Sequence, residues 1–121
     1  MWKISSVVVE SILAGSANTH PNEFASLLGG NGKTKTVGEL IIVPAIFGEE
    51  HALLRTDLLP LNIPIVGSVH SHPGYSARPS NADAHLFARF GRFHLIVCEP
   101  FSIRTLRAYD ENAKPQKFEI V

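Results

Sequence analysis

Residues 65–98 constrain the fold more tightly than any other part of the chain, because they read as a strand, a helix and a second strand in close succession. The first segment alternates: Val66, Ser68, His70 and His72 share one face, and Ile65, Gly67, Val69 and Ser71 share the other. Pro73-Gly74 ends it. After a polar loop, Ser80 stands ahead of Ala82, Leu86, Phe87 and Phe90, which recur at helical spacing until Gly91 stops the helix. Residues 93–98 are apolar but for His94, which predicts a strand buried on both faces and hence central in its sheet. A strand, helix and strand of this length suit a parallel crossover.

The other segments are shorter. Residues 4–17 carry Ile4, Val7, Val8 and Ile12 near helical spacing, yet the run Val7-Val8-Val9 equally suits a strand, so periodicity leaves this segment open. Pro21 breaks the pattern, and residues 24–28 predict a short buried strand ending at Gly29-Gly30. A turn is expected over 31–36, a strand over 39–43 stopped by Pro44, a weaker strand over 51–56, and a rigid stretch over 59–64. Residues 102–109 and 116–121 read as a C-terminal strand pair joined by a polar turn. Outside the crossover the pairing is expected to be antiparallel. The expected class is α/β (or α+β) with one mixed central sheet.

At 121 residues and 13.2 kDa the chain has room for one domain, residues 1–121. A globule of this size buries about two-thirds of its unfolded surface. Its 45% hydrophobic content excludes a disordered chain. Eleven basic residues balance eleven acidic ones, so charge gives no reason to expect nucleic acid or an anionic membrane as partner. A net charge near zero does favour self-association, and a homodimer is one expectation. The single cysteine, Cys98, excludes an intrachain disulfide and a thiolate zinc cluster. No apolar run nears the ~18 residues of a membrane span, and no signal-peptide pattern opens the chain, so cytoplasm is the expected location.

His70-Ser71-His72 is where chemistry enters. Residues i and i+2 of a strand project from one face, about 6–7 Å apart at Cα, close enough for two imidazoles to converge on one metal ion. An H-x-H pair alone is more often two polar residues on a solvent-facing edge. Asp83 changes that balance. It lies in the first turn of the helix that follows, and a crossover brings the strand's carboxyl end and the helix's amino end to one side of the sheet. Two histidines and a carboxylate form a common catalytic zinc set with a fourth position left for water. Ser80 and Asp83 also fit a capping box, and the two readings are compatible: Ser80 can cap the helix and still offer its O–H to a developing oxyanion. Glu23, just ahead of the strand over 24–28, is the candidate general base, with a solvated turn carboxylate as the plainer alternative. Glu49-Glu50, Glu99 and Asp110-Glu111 sit in less suitable places. His20, His51 and His94 have no partner at ligand spacing, and His85 points to another side of the helix, so these are expected to be surface or satisfied histidines. Cys98 is expected in the core.

His70-Ser71-His72-Pro73 followed by Ser80 and Asp83 resembles the H-x-H-x7-S-x-x-D signature of the JAMM (MPN+) metalloproteases. Glu23 within Asn22-Glu23-Phe24-Ala25-Ser26-Leu27-Leu28 is similar to that family's upstream glutamate, and the likeness spans most of the chain, nearest the small bacterial and archaeal members. The resemblance implies a cytidine-deaminase-like fold, a mixed central sheet flanked by helices, with residues 4–17 helical. It implies one Zn²⁺ per chain held by His70, His72 and Asp83 with a catalytic water as fourth ligand. It further implies Glu23 as proton acceptor and donor, and Ser80 as the group that steadies the tetrahedral intermediate. The implied substrates are ubiquitin-like modifiers joined to lysine, or sulfur-carrier proteins with C-terminal adducts, their tails extended beside a sheet edge. The loop over 73–79 is short, so linkage selectivity of the kind conferred by the second insertion of eukaryotic members is not expected. A non-catalytic MPN scaffold would have lost ligands, and a nucleoside deaminase would need H-x-E and P-C-x-x-C elements that this sequence lacks.

Overall fold

The computed structural model describes residues 1–42, 45–47, 52–54 and 64–121, the two short middle stretches by their backbone. The ends of the strands expected over 39–43 and 51–56, and all but Pro64 of the stretch 59–64, lie outside the described residues. In chain order the elements are β1 (Trp2–Ile4), α1 (Ser6–Thr19), β2 (Ala25–Asn31), β3 (Thr36–Ile41), β4 (Ala45–Phe47), β5 (Ala52–Leu54), β6 (Ile65–Ser71), α2 (Asn81–Arg89), β7 (Phe93–Val97), β8 (Leu106–Tyr109), β9 (Pro115–Gln116) and β10 (Phe118–Ile120). Eight strands form one sheet in the order β10-β1-β3-β2-β6-β7-β8-β9, and β4 pairs with β5 separately. The class is mixed α/β, as the sequence predicts.

The crossover is the centre of this arrangement. β6 and β7 are parallel, with His70 beside Ile96, and α2 connects them. Every residue of β7 is buried, and its side chains alternate between two clusters, which explains a sequence that is apolar but for His94. Phe93, Leu95 and Val97 join the large core that includes Val8, Val9 and Ile12 of α1, whereas Ile96 packs with Phe87 of α2 and Tyr109 of β8. A helix thus covers each face of this strand, and apolar residues on both sides supply the burial that holds the helices on. Gly67 lets β6 and β7 approach, since a Cβ there would fall on the Phe93 carbonyl. Gly91 ends the α2 connection at φ 101°, a conformation costly for any residue with a Cβ.

Burial also decides residues 4–17, of which Ile4 belongs to β1 and the helix begins only at Ser6. Val8, Val9, Ile12 and Ser16 are buried while Val7 is 67% exposed, the pattern of one helical face and not of a strand. Ser16 is accommodated there because its Oγ donates to the Ile12 carbonyl at 2.7 Å.

Two sequence expectations need correction. The pairing outside the crossover is not wholly antiparallel: β1, which the sequence reading does not anticipate, runs parallel to both β3 and β10. Nor do residues 116–121 extend the C-terminal pair. β8 and β9 pair as expected, but β10 adds to β1 at the other end of the strand order, although only Lys117 lies between β9 and β10. The two ends of the sheet must therefore be neighbours, and the sheet curls almost to closure. Aromatic contacts across the curl agree: Trp2 of β1 stacks on Phe93 of β7 with centroids 5.3 Å apart, and Phe118 of β10 meets the same ring at 5.9 Å.

Candidate metal centre

The site forms where β6 ends and α2 begins. β2 lies antiparallel to β6 with Ala25 opposite His70, so Glu23, two residues earlier, arrives beside His72 on the same face. The strand direction persists one residue beyond β6, because the His72 N–H donates to the Val97 carbonyl at 2.8 Å. Across the short loop, Ser80 is the N-cap of α2. Its Oγ accepts the Asp83 N–H at 3.1 Å, and its own N–H donates to Asp83 Oδ2 at 2.8 Å. The capping box expected from the sequence is therefore formed, and it fixes the Asp83 carboxylate over the end of β6.

Four polar atoms of three side chains converge. His70 Nε2 lies 2.9 Å from Asp83 Oδ1, His72 Nε2 lies 3.1 Å from Asp83 Oδ2, and the two Nε2 atoms are 3.2 Å apart. Two ligands ~2.0–2.1 Å from a tetrahedral ion stand about 3.3 Å from each other. The three observed separations match that edge within a few tenths of an ångström. Donor chemistry points the same way. His72 Nδ1 meets the Ser76 carbonyl at 2.9 Å and so carries a proton; in the neutral ring Nε2 then bears a lone pair aimed at a carboxylate oxygen. Two acceptors facing each other need a cation or a proton between them. This set of side chains fits a divalent ion with open coordination.

The electrostatics follow from the same contacts. Burial would push the Asp83 carboxyl up, but hydrogen bonds from His70 and His72, the His70 charge and the Ser80 N–H together hold it well below the usual carboxylate range. Burial likewise opposes charge on His72. The Asp83 hydrogen bond, the Ser76 carbonyl and the negative charges of Asp83 and Glu23 outweigh it, so its pKa is raised. The centre attracts positive charge in whichever form it is supplied.

Glu23 is only 4% exposed, which removes the reading of a solvated turn carboxylate. One of its carboxylate oxygens and a ring nitrogen of each of His70 and His72 all lie within 4.8 Å of one another. Glu23, His70, His72, Ser80 and Asp83 are thus brought to one place.

Comparison with known proteins agrees with this geometry. The family pattern of prokaryotic homologs of the JAB domain matches residues 5–110. The chain belongs to the JAMM/MPN+ family. A probable metalloprotease of Haloferax volcanii is 32% identical over 128 residues, covering 98% of this chain and 78% of that protein. A solved structure described as JAMM, a metalloprotease-like zinc site in the proteasome and signalosome, matches with TM-score 0.78 and 34% identity over 100% of this chain and 98% of the other. A JAB1/MPN domain protein from Archaeoglobus fulgidus matches with TM-score 0.78 and 33% identity, covering 100% and 97% of the two chains. The protein is a member of a metalloprotease family, and its fold is the JAB/MPN fold.

Within this JAMM fold the remaining histidines find other uses. His94 is wholly buried and satisfied on both nitrogens: Nδ1 lies 2.7 Å from Ser68 Oγ, and Nε2 lies 2.9 Å from the Gly91 carbonyl. Burial lowers its pKa. It stacks on Phe87 of α2 at 4.4 Å. His20 pairs with Glu99 at 3.3 Å, His85 is exposed, and His51 lies outside the described residues. Cys98 is buried, as expected. One supporting residue escapes the sequence reading. Tyr109 donates from its hydroxyl to the Ala77 carbonyl at 2.6 Å and tethers the loop whose Ser76 carbonyl orients His72. No short-range signal marks it, since 32 residues separate the partners. No helix among the described residues is long and apolar enough to cross a membrane.

Proposed function

We propose that this protein is a zinc-dependent isopeptidase that cleaves after the C-terminal Gly-Gly of a ubiquitin-like modifier joined to lysine. The observation that carries the reading is the convergence of His70, His72 and Asp83 at tetrahedral-edge distances beside the buried carboxylate of Glu23. His70, His72 and Asp83 would hold the ion. When bound, zinc polarises a carbonyl and brings the pKa of water from 15.7 to about 7. Glu23 takes the proton that water loses as its oxygen bonds to the glycine carbonyl carbon. It returns that proton to the lysine amine as the C–N bond breaks, leaving a free Gly-Gly carboxylate and a free amine. Ser80, already fixed by the capping box, donates its O–H to the oxygen that gains charge. Such roles are worth ~10²–10⁴-fold for the base and ~10²–10³-fold for the oxyanion donor.

The test offers zinc-loaded protein, beside Glu23→Gln, a Gly-Gly-ended modifier in two forms: linked to a lysine side chain, and as a linear fusion. Products are read by intact mass. Cleavage of the lysine conjugate by the wild type alone is the expected outcome. Cleavage of the linear fusion alone points instead to processing of a sulfur-carrier type C-terminal adduct, which would use the same five residues. If neither is cut while zinc stays bound, the isopeptidase reading falls and a binding scaffold takes its place.

A further inference from the structure

Ser71, the residue between the two histidine ligands, is 1% exposed. A fully buried strand position of this kind is ordinarily apolar, because a hydroxyl taken out of water must recover its hydrogen bonds. Ser71 recovers one in an unusual place. In a hydrogen-bonded antiparallel pair the two residues exchange both N–H···O=C bonds. Phe24 stands opposite Ser71 by the register that sets Ala25 against His70. The Ser71 N–H does donate to the Phe24 carbonyl, at 2.9 Å. The return bond goes elsewhere: the Phe24 N–H donates to Ser71 Oγ, at 2.8 Å, and not to the Ser71 main-chain carbonyl.

That N–H belongs to the peptide unit joining Glu23 to Phe24. Its orientation sets the direction in which Glu23 leaves the strand. On the other side, the Asn22 N–H donates to the Thr19 carbonyl at 2.8 Å, anchoring the segment to the end of α1. Glu23 is therefore held between two fixed peptides, and the nearer one is fixed by the side chain of the residue that separates the two ligands.

We infer that Ser71 is a positioning residue that sets the Glu23 carboxylate relative to His70 and His72 by holding the Glu23–Phe24 peptide. The inference rests on the reading of Glu23 as the proton-transfer group. Ser71 touches neither metal nor substrate in this role, so it governs the chemical step and not the holding of zinc. A displacement of the base by about 1 Å costs on the order of 100-fold in rate.

The experiment compares Ser71→Ala, Ser71→Cys, Ser71→Thr and Glu23→Gln in the full chain. Zinc affinity is measured by chelator competition, Phe24 amide exchange by NMR, and kcat and KM on whichever Gly-Gly substrate the wild type cleaves. Ser71→Ala should expose the Phe24 amide to faster exchange and keep zinc affinity within about threefold. It should also lower kcat by about 10- to 100-fold with KM within about twofold. Ser71→Cys, close in size but a poor acceptor, should behave like Ser71→Ala and carries the test if the alanine variant does not fold. Ser71→Thr, which keeps the hydroxyl, should restore both amide protection and most of kcat. In a Glu23→Gln background, Ser71→Ala should add no further loss. Unchanged kcat in Ser71→Ala, loss of zinc in parallel with kcat, or failure of threonine to restore would each overturn the inference. If Glu23→Gln itself stays active, the base assignment fails first. If Glu23→Gln is inactive and Ser71→Ala is not impaired, the positioning role alone fails.

Discussion

Replacing Ser80 separates two functions that one hydroxyl is asked to perform. In the capping box only one of the two bonds uses the Ser80 side chain, the 3.1 Å bond from the Asp83 N–H; the 2.8 Å bond to Asp83 Oδ2 comes from the backbone of residue 80 and survives substitution. Ser80→Ala therefore loses a single cap bond at an exposed position, a cost of about 1 kcal/mol. For a chain of this length, with an unfolding entropy near 2.1 cal/mol/K per residue, that lowers Tm by about 4 °C. Glycine is tolerated at an N-cap at a cost of only a few tenths of a kcal/mol, so Ser80→Gly should lie within about 2 °C of the wild type. Neither variant has a hydroxyl to donate to an oxyanion, so both should lose about 10²–10³-fold in kcat. Thermal melts are made on metal-free protein, because bound zinc would add its own linkage term. Rates are measured at saturating zinc. If the rate loss of the two variants tracks their stability, being large for alanine and small for glycine, then Ser80 acts only by holding α2 and Asp83. An active Ser80→Gly refutes the oxyanion role outright.

Zinc at a hundredfold excess over its Kd should stabilise the fold by about 2.7 kcal/mol, roughly 10 °C in Tm, and His70→Ala should abolish both that shift and stoichiometric binding. Tyr109→Phe frees the loop whose Ser76 carbonyl orients His72, so chelator competition should show a several-fold weaker zinc affinity; unchanged affinity would show that the tether does not reach the ligand. His94 should weaken the fold in acid. Its pKa is lowered by burial, so below the ordinary value of 6.5 the unfolded chain takes up a proton that the folded one refuses, and stability falls as pH falls. Urea melts of metal-free wild type and His94→Gln from pH 7.5 to 5 should show the steeper acid loss in the wild type, by no more than about 1.4 kcal/mol per pH unit; a parallel pair of curves would mean that His94 does not control this limb.

What the sequence reveals here depends on how far each signal has to travel. The unit over 65–98 is legible because alternation, helix spacing, an N-cap serine and a φ-positive glycine are all local, and each agrees with its neighbours. The candidate metal ligands are legible for the same reason: His70 and His72 are two residues apart on one strand, and Asp83 reaches them through the one connection whose geometry a crossover dictates. β10 is not legible. Phe118 and Ile120 would suit a hairpin with β8 as well as they suit the edge of β1, and only the curling of the whole sheet decides between them. Residues 4–17 stand between these cases, since Val7 joins the apolar count in sequence but points into solvent in the fold. Glu23 is the instructive intermediate. Its position ahead of a buried strand marks it as available, but its burial comes from pairing with a strand more than forty residues away. The side chain that completes that pairing, Ser71, sits inside the motif and looks like a spacer. A motif records which residues touch the ion more readily than which residues hold the others in place, because ligands must match a fixed coordination geometry, whereas a supporting hydrogen bond can be supplied from almost any element that passes nearby.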